Sequence, residues 1–90
     1  MNLRFWGCDP IRDHAWAADL VEAGQKESVD ISVEYVDVLA SVANATLNNV
    51  IVTPTLDRLD PLPFARLIAI GTDFPMVLDW LGGSDGQGPA

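Results

Sequence analysis

The fold begins in the stretch LRFWGCDP, which runs from Leu3 to Pro10. Its first five residues, Leu3 to Gly7, predict a short strand whose side chains alternate between two faces. Asp9 then predicts the N-cap of a helix, because its side-chain oxygen can accept a hydrogen bond from a backbone N–H of the first turn. Pro10 suits the first helical position, where a missing N–H costs nothing. The chain is therefore expected to pass from strand to helix through Cys8.

The rest of the chain predicts six further elements, identified by hydrophobic periodicity and by helix caps. They are a helix from Pro10 to about Gly24, a strand from Val29 to Tyr35, a short helix from Ser41 to about Asn48, strands over Thr55–Leu59 and Arg66–Gly71, and a helix over Phe74–Leu81 capped by Asp73. The stretch Asp60 to Pro63 predicts a turn, since both of its prolines lack a donor for strand pairing.

The predicted order, β-α-β-α-β-β-α, indicates an α/β fold. A helix between the first two strands implies a parallel pair with a right-handed crossover, and a short link between the last two implies an antiparallel hairpin. A four-stranded mixed sheet covered by helices is the thioredoxin-like arrangement. We expect one domain over residues 1–83, followed by a disordered Gly-rich tail over residues 84–90.

Composition excludes several classes of function. The 90 residues carry 13 acids against 5 bases, a formal charge of −8, which argues against nucleic acid and anionic membranes as partners. The chain has one cysteine, which excludes an internal disulfide. Together with the one histidine it supplies too few ligands for a zinc site unless carboxylates provide the rest. The sequence shows neither a membrane span nor a signal peptide, so we expect a cytoplasmic protein with no metal and no cofactor.

The chain resembles the KaiB family of circadian clock proteins. The resemblance rests on Gly7 and Pro10 after the first strand, on Val36-Asp37-Val38-Leu39 after the second, and on Thr53-Pro54-Thr55-Leu56, followed by Leu62-Pro63 and Arg66-Leu67-Ile68. The related sensor domain of the clock histidine kinase SasA is also similar. The resemblance implies a cis-proline at Pro54 and a non-enzymatic protein that binds a hexameric KaiC-like ATPase of the RecA family, in clock-type or stress-type regulation. It also implies switching between a thioredoxin-like fold and the tetrameric KaiB ground-state fold.

The sequence departs from the family pattern at three places. The family often has Asn where this chain has Cys8, two basic residues where it has Ala65 and Arg66, and Gly-Asp where it has Ala69-Ile70. Gly and Asp disfavour strands whereas Ile favours them. Ala69 and Ile70 are therefore predicted to determine the fold, in favour of the thioredoxin-like form.

Cys8 supports an alternative function, a monothiol redox protein. A thiol between the first strand and the first helix feels the positive end of the helix dipole, which favours the thiolate. The position three residues on is Ile11, so no resolving cysteine is available, and Asp9 and Asp13 oppose a thiolate. Packing of a small residue at a strand end is the simpler interpretation, and His14 is interpreted as an exposed helix residue rather than as a partner of Cys8.

A non-catalytic, protein-binding domain is the function that these patterns favour. The first helix and the edge of the second strand are the expected contact surface, because an exposed strand can pair with a partner. The sequence does not assign individual partner-binding residues. Association of the chain with copies of itself is left open.

Overall fold

The computed structural model describes residues 1–68 and 73–83. Seven elements occur in these ranges, in the predicted order. They are β1 (Asn2–Gly7), α1 (Pro10–Lys26), β2 (Ser32–Asp37), α2 (Val42–Leu47), β3 (Thr55–Asp60), β4 (Ala65–Ile68) and α3 (Phe74–Gly83). Ala69, Ile70 and the tail from 84 to 90 lie outside the described residues.

The four strands form one mixed sheet in the order β2-β1-β3-β4. β1 pairs in parallel with β2, with Phe5 opposite Tyr35, and antiparallel with β3, with Phe5 opposite Leu56. β3 and β4 form an antiparallel hairpin in which Leu56 lies opposite Leu67. The predicted four-stranded mixed sheet of the thioredoxin-like fold is confirmed, and β2 lies at its edge.

Two element boundaries differ from the prediction at the α1–β2 connection. α1 continues past Gly24 to Lys26, because Gly24 is buried against Ile31 rather than ending the helix. β2 begins at Ser32 rather than at Val29, because its pairing with β1 starts there. The backbone N–H of Val29 instead donates to the carbonyl of Gly24 at 2.8 Å, which closes the turn after α1.

The caps predicted at Asp9 and Asp73 both form. Asp9 Oδ1 accepts from the backbone N–H of Arg12 at 3.4 Å, and Asp73 Oδ1 accepts from that of Met76 at 3.2 Å. Ser41 precedes α2 but makes no side-chain capping bond. The short α2 therefore lacks a side-chain cap at its N-terminus.

The two faces of the sheet are covered differently. On the face of Phe5, a chain of ring contacts joins the sheet to both long helices, since Phe5 packs on Trp16 of α1 at 5.3 Å and Trp16 packs on Phe74 of α3 at 5.3 Å. Most of the buried core lies here, and it includes Leu3, Leu20, Ile31, Leu56, Val77 and Leu81. The opposite face carries Trp6 and is reached by the end of α2.

Within residues 1–68 and 73–83, no helix is both long and apolar enough to cross a membrane.

Candidate functional site

Cys8 lies in the loop between β1 and α1 and is exposed. Its Sγ accepts a hydrogen bond from Thr53 Oγ1 at 3.5 Å. The Thr53–Pro54 peptide bond is cis. The structure thus brings Cys8 next to the Thr53-Pro54 loop, which precedes β3, and the two segments that the sequence singled out meet at one end of the sheet.

Asp13 is buried at this end of the sheet, and only 2% of its surface is exposed. Its carboxylate accepts hydrogen bonds from the backbone N–H of Asp9 at 3.2 Å, from Arg12 Nε at 3.3 Å and from the Tyr35 hydroxyl at 3.1 Å. These donors satisfy a carboxylate that would otherwise be costly to bury. The sequence analysis treated Asp13 only as a charge near Cys8. The helical period could have indicated its burial, because Asp13 lies on the same face of α1 as the buried residues Ala17, Leu20 and Gly24.

Tyr35 connects β2 to the start of α1 through Asp13. Burial, the hydrogen bond to Asp13 and the negative charges of Asp13 and Asp37 raise the pKa of the Tyr35 phenol above its ordinary value. The His14 ring packs against Tyr35 at a centroid distance of 4.5 Å, and His14 is exposed, as predicted. The aromatic contact of His14 is therefore with Tyr35, whereas the hydrogen bond at Cys8 comes from Thr53.

A second buried carboxylate, Asp57, lies on the Trp6 face of the sheet. Trp6 Nε1 donates to Asp57 Oδ2 at 2.9 Å, and Arg66 donates through Nε to Oδ1 at 2.6 Å and through a second nitrogen to Oδ2 at 2.9 Å. Only 2% of the Asp57 side chain is exposed, against 20% for Arg66. The hydrogen bonds from Arg66 to Asp57 raise the pKa of the guanidinium, so Arg66 keeps its positive charge beside Asp57.

Arg66 also holds the end of α2. Its guanidinium donates to the carbonyl oxygens of Asn48 at 3.0 Å and Asn49 at 3.2 Å. One side chain thereby joins β4, the buried Asp57 of β3 and the segment after α2. Asp57 itself lies inside β3, within the predicted strand Thr55–Leu59.

The α2 segment presents an apolar, uncharged surface. Five large aliphatic side chains are exposed there, and we call them the α2 surface. They are Leu39 (72% exposed), Val42 (62%), Leu47 (82%), Ile51 (93%) and Val52 (44%). The sequence from Val38 to Leu56 contains no Asp, Glu, Lys or Arg, although such residues make up 20% of the chain. The sequence predicts the short helix in this segment but not the exposure of these side chains, since exposure depends on what α2 packs against.

β2, at whose edge a contact surface is predicted, is an edge strand of the sheet, and its contact with a partner stays a prediction. β2 pairs with β1 on one side and is the outermost strand of the sheet. Glu34 of this strand accepts a hydrogen bond from Arg4 Nε of β1 at 2.9 Å, in a partly exposed ion pair. β2 thus carries an ion pair with its neighbouring strand, whereas the α2 surface contains no charged side chain.

Residues 1–68 and 73–83 show no cluster of metal ligands. There, no group of three His, Cys, Asp or Glu side chains is arranged to hold a metal ion. Ile11, three residues after Cys8, is 88% exposed. The buried carboxylates Asp13 and Asp57 are occupied by structural hydrogen bonds.

The chain is structurally similar to known proteins. No family model matches the chain, and no curated protein matches it. The chain is similar to the N-terminal domain of SasA from Synechococcus elongatus, known from a solution structure, with a TM-score of 0.63 and 20% sequence identity. The superposition covers 96% of this chain and 87% of that one. The likeness shows a shared fold, the mixed four-stranded sheet with helices.

Proposed function

We propose that this chain is a non-catalytic protein-interaction domain of KaiB-like type, which binds a KaiC-like ATPase hexamer of the RecA family in clock-type or stress-type regulation in the cytoplasm. The observation that carries the proposal is the α2 surface, since exposed apolar patches on small soluble proteins mark interaction sites. The resemblance of Thr53-Pro54-Thr55-Leu56 and its neighbours to the KaiB family supports the identity of the partner. The fold shared with the SasA N-terminal domain also supports the proposal of a KaiB-like interaction domain.

The energetics of the α2 surface favour protein binding. Full burial of a large aliphatic side chain contributes about 1.5–3 kcal/mol. Five such side chains can outweigh much of the cost of association, which is about 4–15 kcal/mol. Because Val38 to Leu56 carries no charge, docking there desolvates no ion.

A pull-down from native lysate tests this function. The bait is the full chain, and the variant Leu47→Ser/Ile51→Ser removes two of the most exposed aliphatic side chains without touching the core. Leu62→Ser is the matched control, because Leu62 is 78% exposed in the β3–β4 turn, at the other end of β3 from α2. Bound proteins are identified by mass spectrometry, and binding is then measured with the purified partner.

We expect a RecA-family ATPase to be recovered by the wild-type chain and by Leu62→Ser. Leu47→Ser/Ile51→Ser should weaken its binding at least tenfold, since about 1.4 kcal/mol corresponds to a factor of ten. Recovery of no ATPase would contradict the proposed partner. Equal binding by the α2 variant and the control would contradict the role of the α2 surface.

Monothiol exchange at Cys8 is a second candidate function, favoured by the exposure of Cys8 and its contact with Thr53 beside Pro54. In such a step the Cys8 thiolate attacks one sulfur of glutathione disulfide, forms a mixed disulfide and releases one glutathione thiolate. The test is a titration of the Cys8 thiol by its alkylation rate, with glutathione exchange measured in parallel and Cys8→Ser as the blank. A pKa at or above the ordinary value of about 8.5, with no mixed disulfide formed, would exclude this function.

A further inference from the structure

A groove of about 340 Å³ lies between the C-terminal half of α1 and the first turns of α3. Its apolar lining consists of Ala23, Phe74, Pro75 and Leu78. Pro75 is exposed, and the other three are half-buried. The volume is near the lower end of the range for ligand pockets, about 300–1,000 Å³, so the groove has room for a few side chains rather than for a large cofactor.

The lining is held in place by the core. Phe74 packs on Trp16, and Trp16 packs on Phe5, which is 2% exposed. Leu78 and Phe74 also pack against the buried core cluster. The groove is therefore already formed in the free chain, so ligand binding carries little entropic cost for ordering its lining.

The rim of the groove is acidic. Asp19, Glu22 and Glu27 line it together with the cation Lys26. The Lys26 Nζ and Glu22 Oε1 atoms lie 4.0 Å apart, and both side chains are more than 60% exposed, so this ion pair is weak. The negative end of the α1 dipole lies at the same place and adds to the negative potential. An apolar floor within an acidic rim complements an apolar side chain that is flanked by cations.

We infer that this groove, which we call the α1–α3 groove, binds a segment of a partner protein in which a large apolar side chain is flanked by Lys or Arg. The tail of this chain does not fit that description, because residues 84–90 read SDGQGPA, with no basic and no large apolar side chain. A second copy is disfavoured, because each copy carries a formal charge of −8.

The α1–α3 groove is a second docking site, distinct from the α2 surface. α1 and α3 pack on the Phe5 face of the sheet, whereas the end of α2 is bound by Arg66 on the Trp6 face. The inference therefore stands without the proposed ATPase partner. Two docking sites on opposite faces would let the domain join two proteins.

Titration with a synthetic peptide, followed by amide chemical shifts of the full chain, tests the inference. The probe is a short peptide of Leu, Lys and Ala with Leu and Lys at adjacent positions, and the control peptide has Glu in place of Lys. The groove variant is Asp19→Asn/Glu22→Gln/Glu27→Gln. The matched variant, Asp30→Asn/Glu34→Gln/Asp60→Asn, changes the net charge equally at exposed positions outside the groove.

We expect the Lys peptide to shift amides around Ala23, Phe74 and Leu78, and the Glu peptide to shift none of them. The groove variant should bind the Lys peptide about tenfold more weakly, while the matched variant stays within about twofold of wild type. Equal weakening in both variants would show attraction by net charge alone and would overturn the inference. Shifts confined to the α2 surface, absence of binding, or concentration-dependent shifts in the groove without peptide would also overturn it.

Discussion

Gly7 allows the buried carboxylate of Asp13 to lie under the end of β1. A Cβ at position 7 would overlap the Asp13 carboxylate and would lie 2.9 Å from Phe5 Cε1. Neither neighbour can move easily, because Asp13 receives three hydrogen bonds and Phe5 is in the core. Glycine is therefore required here for space rather than for backbone freedom.

Gly7→Ala is expected to lower the free energy of unfolding by about 1–3 kcal/mol, because overpacking of a filled site displaces its neighbours. Urea unfolding followed by tryptophan fluorescence measures the change. In an Asp13→Ala background the carboxylate is gone, so the added cost of Gly7→Ala should fall. An equal cost in both backgrounds would show that Asp13 is not the group that excludes the methyl.

Tyr35 is the only tyrosine of the chain, so its ionisation can be followed directly by the absorbance of the phenolate. The pKa of the Tyr35 phenol is about 10 in the unfolded chain and is raised in the folded state. Just above pH 10 the folded chain therefore keeps the phenol proton that the unfolded chain has lost. The contribution of Tyr35 to the free energy of unfolding is therefore fully present below pH 10 and decreases as the pH rises above 10.

We expect phenolate absorbance to appear at higher pH in the folded chain than in urea. The free energy of unfolding should fall between pH 9 and pH 11 by more in the wild-type chain than in Tyr35→Phe. Coincident titration of the folded and urea-unfolded chains would contradict the burial and the Asp13 contact that raise this pKa.

At the scale of elements, Arg66 is the residue through which β4, β3 and the end of α2 are joined. The helix α2 is short, it lacks a side-chain cap at its N-terminus, and only Ala45 within it is buried. Propensity and packing alone hold so short a helix weakly. The bonds from Arg66 to Asn48 and Asn49 therefore stabilise the segment that carries the α2 surface.

Asp57→Asn is expected to cost about 3 kcal/mol of unfolding free energy, because it leaves the Arg66 charge without its buried partner. Glu34→Gln is the matched control, since Glu34 pairs with Arg4 at 2.9 Å but its side chain is 58% exposed, and it should cost less than about 1 kcal/mol. Urea unfolding measures both variants. Similar costs for the two would mean that burial does not distinguish these ion pairs.

At the scale of the whole molecule, the sheet separates a face that is covered by two long helices from a face with exposed aliphatic side chains near it. The Phe5 face is closed by α1 and α3, and the Trp6 face leaves the aliphatic side chains around α2 exposed. This division depends on α3 being a helix, because Val77, Trp80 and Leu81 supply three of its core residues. A different fold of the C-terminal segment would dismantle that core.

We expect the chain to rest in the thioredoxin-like fold in dilute solution, with helical NMR chemical shifts across Phe74–Leu81. Pro75 fits the first turn of α3 and would break a strand interior, and Ala69-Ile70 favours a strand before it. Ala69→Gly/Ile70→Asp should shift the population ratio away from this fold, by roughly thirtyfold for a change of ~2 kcal/mol. Strand shifts across Phe74–Leu81 in the wild-type chain would contradict the prediction.

The order of elements, the mixed sheet and the caps at Asp9 and Asp73 could be predicted from sequence, because alternation, helical period and capping are local properties of the chain. The interpretation of Cys8 as a packed residue at a strand end was wrong, because Cys8 is exposed. Its contact with Thr53 was decided by tertiary structure, since the two residues are far apart in sequence. The burial of Asp13 and Asp57 was decided by tertiary structure, because a carboxylate is buried only where distant donors, here Tyr35 and Arg66, reach it. The α2 surface and the α1–α3 groove were decided there too, since local periodicity gives the face of a helix but not what covers it.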